Sequence, residues 1–350
     1  AWAAIWGGAA SAMDVPPVQT VSEVAHEVLF LPGSASVRPG YLDLSLTPWL
    51  REPMDRLSSH DPTRRVVLMW AAQTGKTLIL IAWGAYGMIY DASPMATCHP
   101  TEGTRQSFLR EKLNLILDAS PRLSALVIPR STRTGSGSTS TMKVFPGGFW
   151  VHLNASSATE MRSHSVQKLG CDEIDGYPLD VDGEGDPLEL VVRRQASYEA
   201  SAKTLLISTP TMRESSRIWQ AYAPTERRCY FVPCPRCGQR ILLLRPHLHW
   251  ERGAPHAAVY RCQRCGQDWP ESAKPEVLAA GVWAPTAEPC PSCQAHTELD
   301  WMGARWDDAA GRWAYAKHTC AECEREWVPE GRSSDPLTTG YWINGLYRPF

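Results

Sequence analysis

VVLMWAAQTGKTLILIAWGAYGMIY, residues 66–90, decides the fold. Residues 66–72 are an apolar, partly β-branched run of strand length, and residues 77–90 are an apolar run of helix length. The turn between them ends in Gly75-Lys76-Thr77. A glycine there lets backbone N–H groups approach a phosphate, and the following helix presents its N-terminus to the anion. Lys76 would bridge the β and γ phosphates, and the Thr77 hydroxyl would ligate Mg²⁺. The full phosphate-loop pattern also asks for a glycine five residues before the Gly-Lys pair, where this chain has Trp70. The motif is therefore degenerate, and a strand–turn–helix that happens to contain Gly-Lys-Thr is the alternative.

Two further stretches bear on that choice. In KLGCDEID, residues 168–175, apolar residues precede an Asp-Glu pair as in a buried strand. Asp172 would hold Mg²⁺ through water, and Glu173 would polarise a water for in-line attack. In LLISTPT, residues 205–211, another strand delivers Ser208 and Thr209 at its carboxyl end. Ligands of an open parallel sheet sit at that edge, so these hydroxyls could sense a γ-phosphate. An ordinary strand closed by a Pro turn is the alternative for this third element. Together the three make ATP hydrolysis the leading expectation, with ATP and Mg²⁺ as cofactors.

Around these motifs, short apolar runs alternate with helical patterns from Leu46 to about Tyr222. Residues 21–30 read as a short helix, 95–100 as a strand and 102–117 as a helix. Residues 140–155 read as a hairpin turning at Gly147-Gly148, and 165–174 and 203–211 as strands. Such alternation implies a mostly parallel α/β sheet with helices on both faces. The acidic stretch 177–190 lacks EF-hand spacing and reads as a solvated loop, and GSGSTST, residues 135–141, as a flexible connection.

The 350 residues allow one sizeable core plus smaller modules. A net charge of −2 gives no global basic field, so any nucleic-acid contact must come from local pairs such as Arg64-Arg65, Arg193-Arg194 or Arg227-Arg228. Residues 78–90 are too short to span a membrane, and residues 1–13 lack the basic start of a signal peptide.

Eight of the eleven cysteines form four C-x-x-C pairs. Cys234, Cys237, Cys262 and Cys265 have 24 residues between the two pairs, and Gly238 and Gly266 follow them. Cys290, Cys293, Cys320 and Cys323 repeat the arrangement with 26 residues between pairs. Each set reads as a zinc ribbon, four thiolates around a structural Zn²⁺ with no open coordination position. Trp301, Trp306 and Trp313 read as a small core, with a stacking surface as the alternative. Cys98, Cys171 and Cys229 read as buried or free thiols.

With these elements in place the chain resembles the large subunit of tailed-phage terminases of the lambda A-protein (GpA-like) type. The resemblance rests on TVSEVAHEVLFLP, TPWLREPMDRLS, AAQTGKT, KVFPGGFW, MRSHSVQKLGCDEIDGYP, EGDPLEL, ISTPT, RRCYFVPCPRCGQR and GYWINGLYRP. It implies a P-loop NTPase of the ASCE/RecA-like type, a DNA-packaging motor that translocates double-stranded DNA into a procapsid. The implied partners are a small terminase subunit, the portal and other copies of the chain, with no membrane, in the cytoplasm of a bacterial host. It maps ATP binding onto Gln73, Thr74, Gly75, Lys76 and Thr77, the family's Asp-Glu pair onto Asp172 and Glu173, with Lys76 and Glu173 catalytic, and a coupling motif onto residues 208–210. Residues 47–52 would lie near the adenine or shape the nucleotide pocket.

The expected organisation is an arm (1–45), an ATPase domain (46–225), two zinc ribbons (226–272 and 273–335) and the start of a linker (336–350) to a nuclease domain. The chain reads as a fragment that stops where that domain would begin, so no cleavage activity is expected of it. Family members often carry a basic residue early in the loop, where Trp70 stands here. Arg65 and Arg162 are candidates to supply that charge, against a plain surface or packing role. Two other functions compete: a superfamily-2-like helicase, which would need a second lobe, and a non-catalytic zinc-ribbon DNA adaptor.

Overall fold

The computed structural model describes residues 18–130 and 137–348. The first 17 residues of the expected arm and the start of the GSGSTST stretch therefore lie outside the described residues. Ten strands form the main sheet: β1 (Arg65–Trp70), β2 (Pro94–His99), β3 (Met142–Phe145), β4 (Gly148–Asn154), β5 (Lys168–Cys171), β6 (Lys203–Ser208), β7 (Arg228–Pro233), β8 (Arg240–Ile241), β9 (Val282–Ala284) and β10 (Thr338–Ile343). Their order is β8-β7-β10-β1-β6-β5-β2-β4-β3, with β9 also on β7. The strands from β7 to β4 run parallel, while β3, β8 and β9 are antiparallel additions.

β1 shows why its sequence is apolar without alternation. Val66, Leu68 and Trp70 enter one hydrophobic cluster and Val67 and Met69 enter the other, so both faces are covered. Helix α2 (Lys76–Ile89) follows the loop and lies in the first cluster; the shorter α1 (Val21–Val28), closed by a capping box of Thr20 and Glu23, packs on it. Two glycines set the closeness of α2 to the sheet. A Cβ on Gly84 would meet the Trp150 ring at 2.1 Å, and one on Gly87 would meet the Met95 sulfur at 2.4 Å.

The expected helix after β2 forms as Glu102–Phe108, a π-helical turn at Leu109–Leu113, and Asn114–Ala119. The hairpin forms as β3–β4, with Phe145 opposite Gly148. The acidic stretch is not all loop: Asp186 caps a helix over Pro187–Val192. Among the described residues no helix is long and apolar enough to cross a membrane.

The largest departure concerns the end of the chain. Thr338–Ile343, expected in a linker, is β10, paired in parallel with β1 along six residues and with β7 on its other side. Its chemistry suits an interior strand. Tyr341 is fully buried, and a Cβ on Gly340 would sit 2.2 Å from Thr225 Oγ1. β7, expected inside the first ribbon, belongs to the same sheet. Both cysteine segments therefore emerge from the sheet and return to it. Each C-x-x-C pair lies on a turn between two short antiparallel strands.

Candidate nucleotide site and cysteine clusters

β1 delivers the loop 71–75 to the carboxyl edge of the sheet, and α2 begins at Lys76. The loop turns through two left-handed residues, Gln73 (φ 60°) and Gly75 (φ 100°). Gly75 has the freedom this needs, and a Cβ there would also press on Leu50 at 2.8 Å. Gln73 is exposed; Thr74 is buried, and its hydroxyl donates to the Ala71 carbonyl at 2.7 Å. Thr77 is half-buried in the first turn of α2.

β6 lies between β1 and β5, so the ends of three strands converge. Lys76 Nζ donates to Trp70 O at 3.0 Å and to Thr209 Oγ1 at 2.5 Å, and it pairs with Glu173 Oε1 at 3.0 Å. Glu173 Oε2 accepts the Thr209 N–H at 3.0 Å and the Ser208 hydroxyl at 3.3 Å. The Glu173 backbone is itself left-handed, at φ 48° and ψ 55°, which swings its side chain back over the strand ends. Asp175 ties the neighbouring turn to the same loop, accepting from the Thr211 N–H and hydroxyl at 2.9 Å each. Lys76, Glu173, Ser208 and Thr209, far apart in sequence, thus share one hydrogen-bonded group.

Burial lowers the pKa of Lys76, a shift that the Glu173 carboxylate opposes. Burial, and then the adjacent Glu173, push the Asp172 carboxyl up to about 6. His99 Nδ1 is 3.7 Å from Asp172 Oδ2, but burial, with Arg105 and Lys112 nearby, brings His99 down to about 3. A neutral imidazole at that distance is neither an ion pair nor a hydrogen bond; His99 shields Asp172 without neutralising it. The donor set of Thr77 and Asp172, a hydroxyl and a carboxylate, is all oxygen and fits a hard cation such as Mg²⁺.

Trp70 is not a vacant glycine position. It is the last residue of β1, fully buried, with its ring stacked on Trp283 at 5.9 Å and an interplanar angle of 12°. The loop therefore begins after Trp70. Arg65 lies at the other end of β1, at the edge opposite the loop, and Arg162 is paired with Glu184 at 2.8 Å; neither joins the Lys76 group. Sequence reasoning missed Arg348, whose Nε donates to the Ala72 carbonyl at 3.2 Å, because residues 336–350 were expected to be a linker. It also missed the manner in which residues 47–52 act. Trp49 Nε1 donates to the Thr74 carbonyl at 2.9 Å, so the segment braces the loop from behind.

The cysteines assemble as two groups, Cys234, Cys237, Cys262 and Cys265, and Cys290, Cys293, Cys320 and Cys323, with the sulfurs of each group within 4.8 Å of one another. Cys237–Cys262, Cys290–Cys323 and Cys293–Cys320 are 3.9, 3.6 and 3.5 Å apart. A tetrahedron with metal–sulfur bonds of about 2.3 Å has an edge of about 3.8 Å, so four thiolates fit one Zn²⁺ in each group. Each turn repeats the same backbone bond, from the residue after the second cysteine to the carbonyl of the first. That residue is left-handed in all four: Gly238, Gly266, Gln294 and Glu324. Trp313 is buried on Phe231, with Trp301 and Trp306 packed beside it, as the small-core reading expects. Cys98, Cys171 and Cys229 are buried, which pushes Cys98 and Cys229 up to about 12.

The chain is 28% identical over 349 residues to the terminase large subunit of Enterobacteria phage P21, covering 96% of this chain and 48% of that protein. It is 28% identical over 259 residues to the terminase large subunit of Escherichia phage lambda, covering 71% of this chain and 39% of that protein. It thus spans about half the length, or less, of these curated relatives. Among solved structures, the HK97 bacteriophage large terminase superposes with a TM-score of 0.41 at 16% identity, over 54% of this chain and 37% of that one. Residues 36–283 match the family model described as phage terminase large subunit gpA, ATPase domain. That match takes in well over half of the molecule and carries the loop, its carboxylates and the first cysteine group, and the chain belongs to this family.

Proposed function

We propose that this chain is the ATP-hydrolysing motor portion of a viral DNA-packaging terminase large subunit, which translocates double-stranded DNA into a procapsid. The observation that carries the reading is the meeting of Lys76 with Glu173 and Thr209 at the carboxyl edge of a parallel sheet. Only a fold that brings the ends of β1, β5 and β6 together produces it, and the ASCE/RecA-like arrangement, with a strand between the loop strand and the acidic strand, does so.

In this reading Gln73, Thr74, Gly75, Lys76 and Thr77 bind the phosphates, and Thr77 and Asp172 would hold Mg²⁺. Bound Mg²⁺ would neutralise charge on the β and γ phosphates. Glu173 is the base that orients the attacking water. Its carboxylate pairs with Lys76 at 3.0 Å; a phosphate that takes over the lysine would free Glu173 for that work. Ser208 and Thr209 bond to Glu173, so they register whether the lysine has let go and pass this to the Asp175-tethered loop. The two cysteine groups hold one structural Zn²⁺ each, as ribbons inserted in the ATPase sheet. A small terminase subunit, a portal and further copies of the chain complete the machine, at work in the cytoplasm of the infected bacterium.

The test is DNA-stimulated ATP hydrolysis by the wild type and by Glu173→Gln. Turnover should fall by at least about a hundredfold in the variant, the scale of a lost general base. Equal turnover in the two would sink the catalytic assignment.

A further inference from the structure

The loop 71–77 is braced through two buried tryptophans in series. Trp49, fully buried, donates its indole N–H to the Thr74 carbonyl at 2.9 Å. The Trp49 backbone carbonyl accepts the indole N–H of Trp283, also at 2.9 Å. Trp283 is buried, and its ring stacks on Trp70, the residue from which the loop departs. Trp283 therefore holds both ends of the brace: the strand that launches the loop, and the residue that holds the loop's fourth position. Leu50, next to Trp49, fills the space behind Gly75. Trp283 belongs to β9, the strand between Cys265 and Cys290, so the brace originates in the stretch that joins the two cysteine groups.

A loop that receives a polyphosphate must present its N–H groups inward, which requires that its carbonyls be held on the outer side. The Thr74 carbonyl is held in this way, by one buried donor that is itself held by another. A solvated loop would present the same groups only part of the time and would bind its ligand more weakly in proportion.

We infer that Trp283 is a positioning residue for the nucleotide loop, acting through Trp49, so that the segment between the cysteine groups sets nucleotide affinity. This rests on the reading of residues 73–77 as a phosphate site, and the test separates the two. MgADP is titrated calorimetrically into the full chain and into Trp283→Phe, Trp49→Phe, the double variant, Tyr230→Phe and Lys76→Ala. Phenylalanine keeps an aromatic ring in place but removes the N–H donor together with the pyrrole half of the indole, so the melting temperature of each variant is read beside its affinity. Tyr230→Phe removes a comparable buried bond, from the Tyr230 hydroxyl to the Leu278 carbonyl at 2.9 Å, while keeping the ring that packs against Trp49 and Trp283.

Each tryptophan variant should weaken MgADP about five- to tenfold, the scale of one buried hydrogen bond. The double variant should lose little more than either single one, because the two bonds act in series. Tyr230→Phe should bind within about twofold of the wild type. The inference is overturned if the tryptophan variants bind like the wild type while Lys76→Ala does not, if the two effects multiply, or if Tyr230→Phe loses as much. Wild-type affinity in Lys76→Ala would instead remove the phosphate-site reading itself. Should a tryptophan variant melt early, amide exchange decides: faster exchange at Gly75–Thr77 with β1 unchanged supports the brace, and uniform acceleration overturns it.

Discussion

The nucleotide loop and the cysteine turns solve one problem, holding a short bend of backbone in a strained shape, by opposite means. Each cysteine turn is held from within: two thiolates three residues apart, one left-handed residue after them, and a backbone bond across the turn. The loop 71–77 is held from outside, by Trp49, by Leu50 and, at its far end, by Arg348. A bend fixed by its own residues leaves a regular signature in sequence. A bend fixed by distant side chains can lose part of its signature, as this loop has lost its first glycine, provided the supports are present.

The comparison breaks first at the proposed catalytic group. Lys76→Ala should lower ATP turnover by at least about a hundredfold, since no other described cation shares its contacts with Glu173 and Thr209. Phosphate release under saturating DNA measures it, and a loss under about threefold would separate the loop from the chemistry.

Next come the metals. Elemental analysis should find about two Zn²⁺ per chain, and chelation should lower the melting temperature. The two groups should differ, because Cys234 and Cys262 lie in the main core with Tyr260 and Trp269, whereas no cysteine of the second group joins a described hydrophobic cluster. Cys262→Ser should therefore destabilise the sheet by several kcal/mol and Cys320→Ser by less, as read by thermal melts of singly substituted chains. Equal losses would show that the first group is as local as the second.

A finer effect sits at the left-handed positions. Gln294→Gly and Glu324→Gly should each stabilise by up to about 1 kcal/mol by relieving a side chain at positive φ, while Gly238→Ala and Gly266→Ala should cost about 1–2 kcal/mol. Denaturant midpoints with zinc retained would measure both. The smallest change is expected from Arg65→Ala, at the sheet edge opposite the loop: hydrolysis within about twofold of the wild type.

Much of the site was legible because its parts are local. The apolar run before Gly75, the strand before Asp172 and Glu173, the strand ending at Ser208 and the four cysteine pairs all declare themselves within ten residues or fewer. What stayed hidden involves partners distant in the chain, 25 residues from Trp49 to Thr74 and 234 from Trp283 to Trp49. Residues 338–343 carry β-branched and aromatic residues that suit a strand, but nothing in that text says it lies against β1. Trp49 and Trp283 look like two of fifteen tryptophans. Their indole N–H groups gain meaning only when one meets the Thr74 carbonyl and the other meets Trp49.

The sequence by itself determined the strand–turn–helix that carries Lys76, the carboxylates at the end of a buried strand, and two sets of four thiolates at ligand spacing. Short-range sterics and covalent reach govern each of these, and both are properties of adjacent residues. Tertiary structure alone decided that β6 lies between β1 and β5, that β10 lies between β1 and β7, and that Trp283, on the strand joining the cysteine segments, meets Trp49 behind the loop. A strand's period-2 pattern says which faces are buried but not which strand is its neighbour. That choice falls to the packing of the whole core, in which Trp70, the last residue of β1, stacks on Trp283.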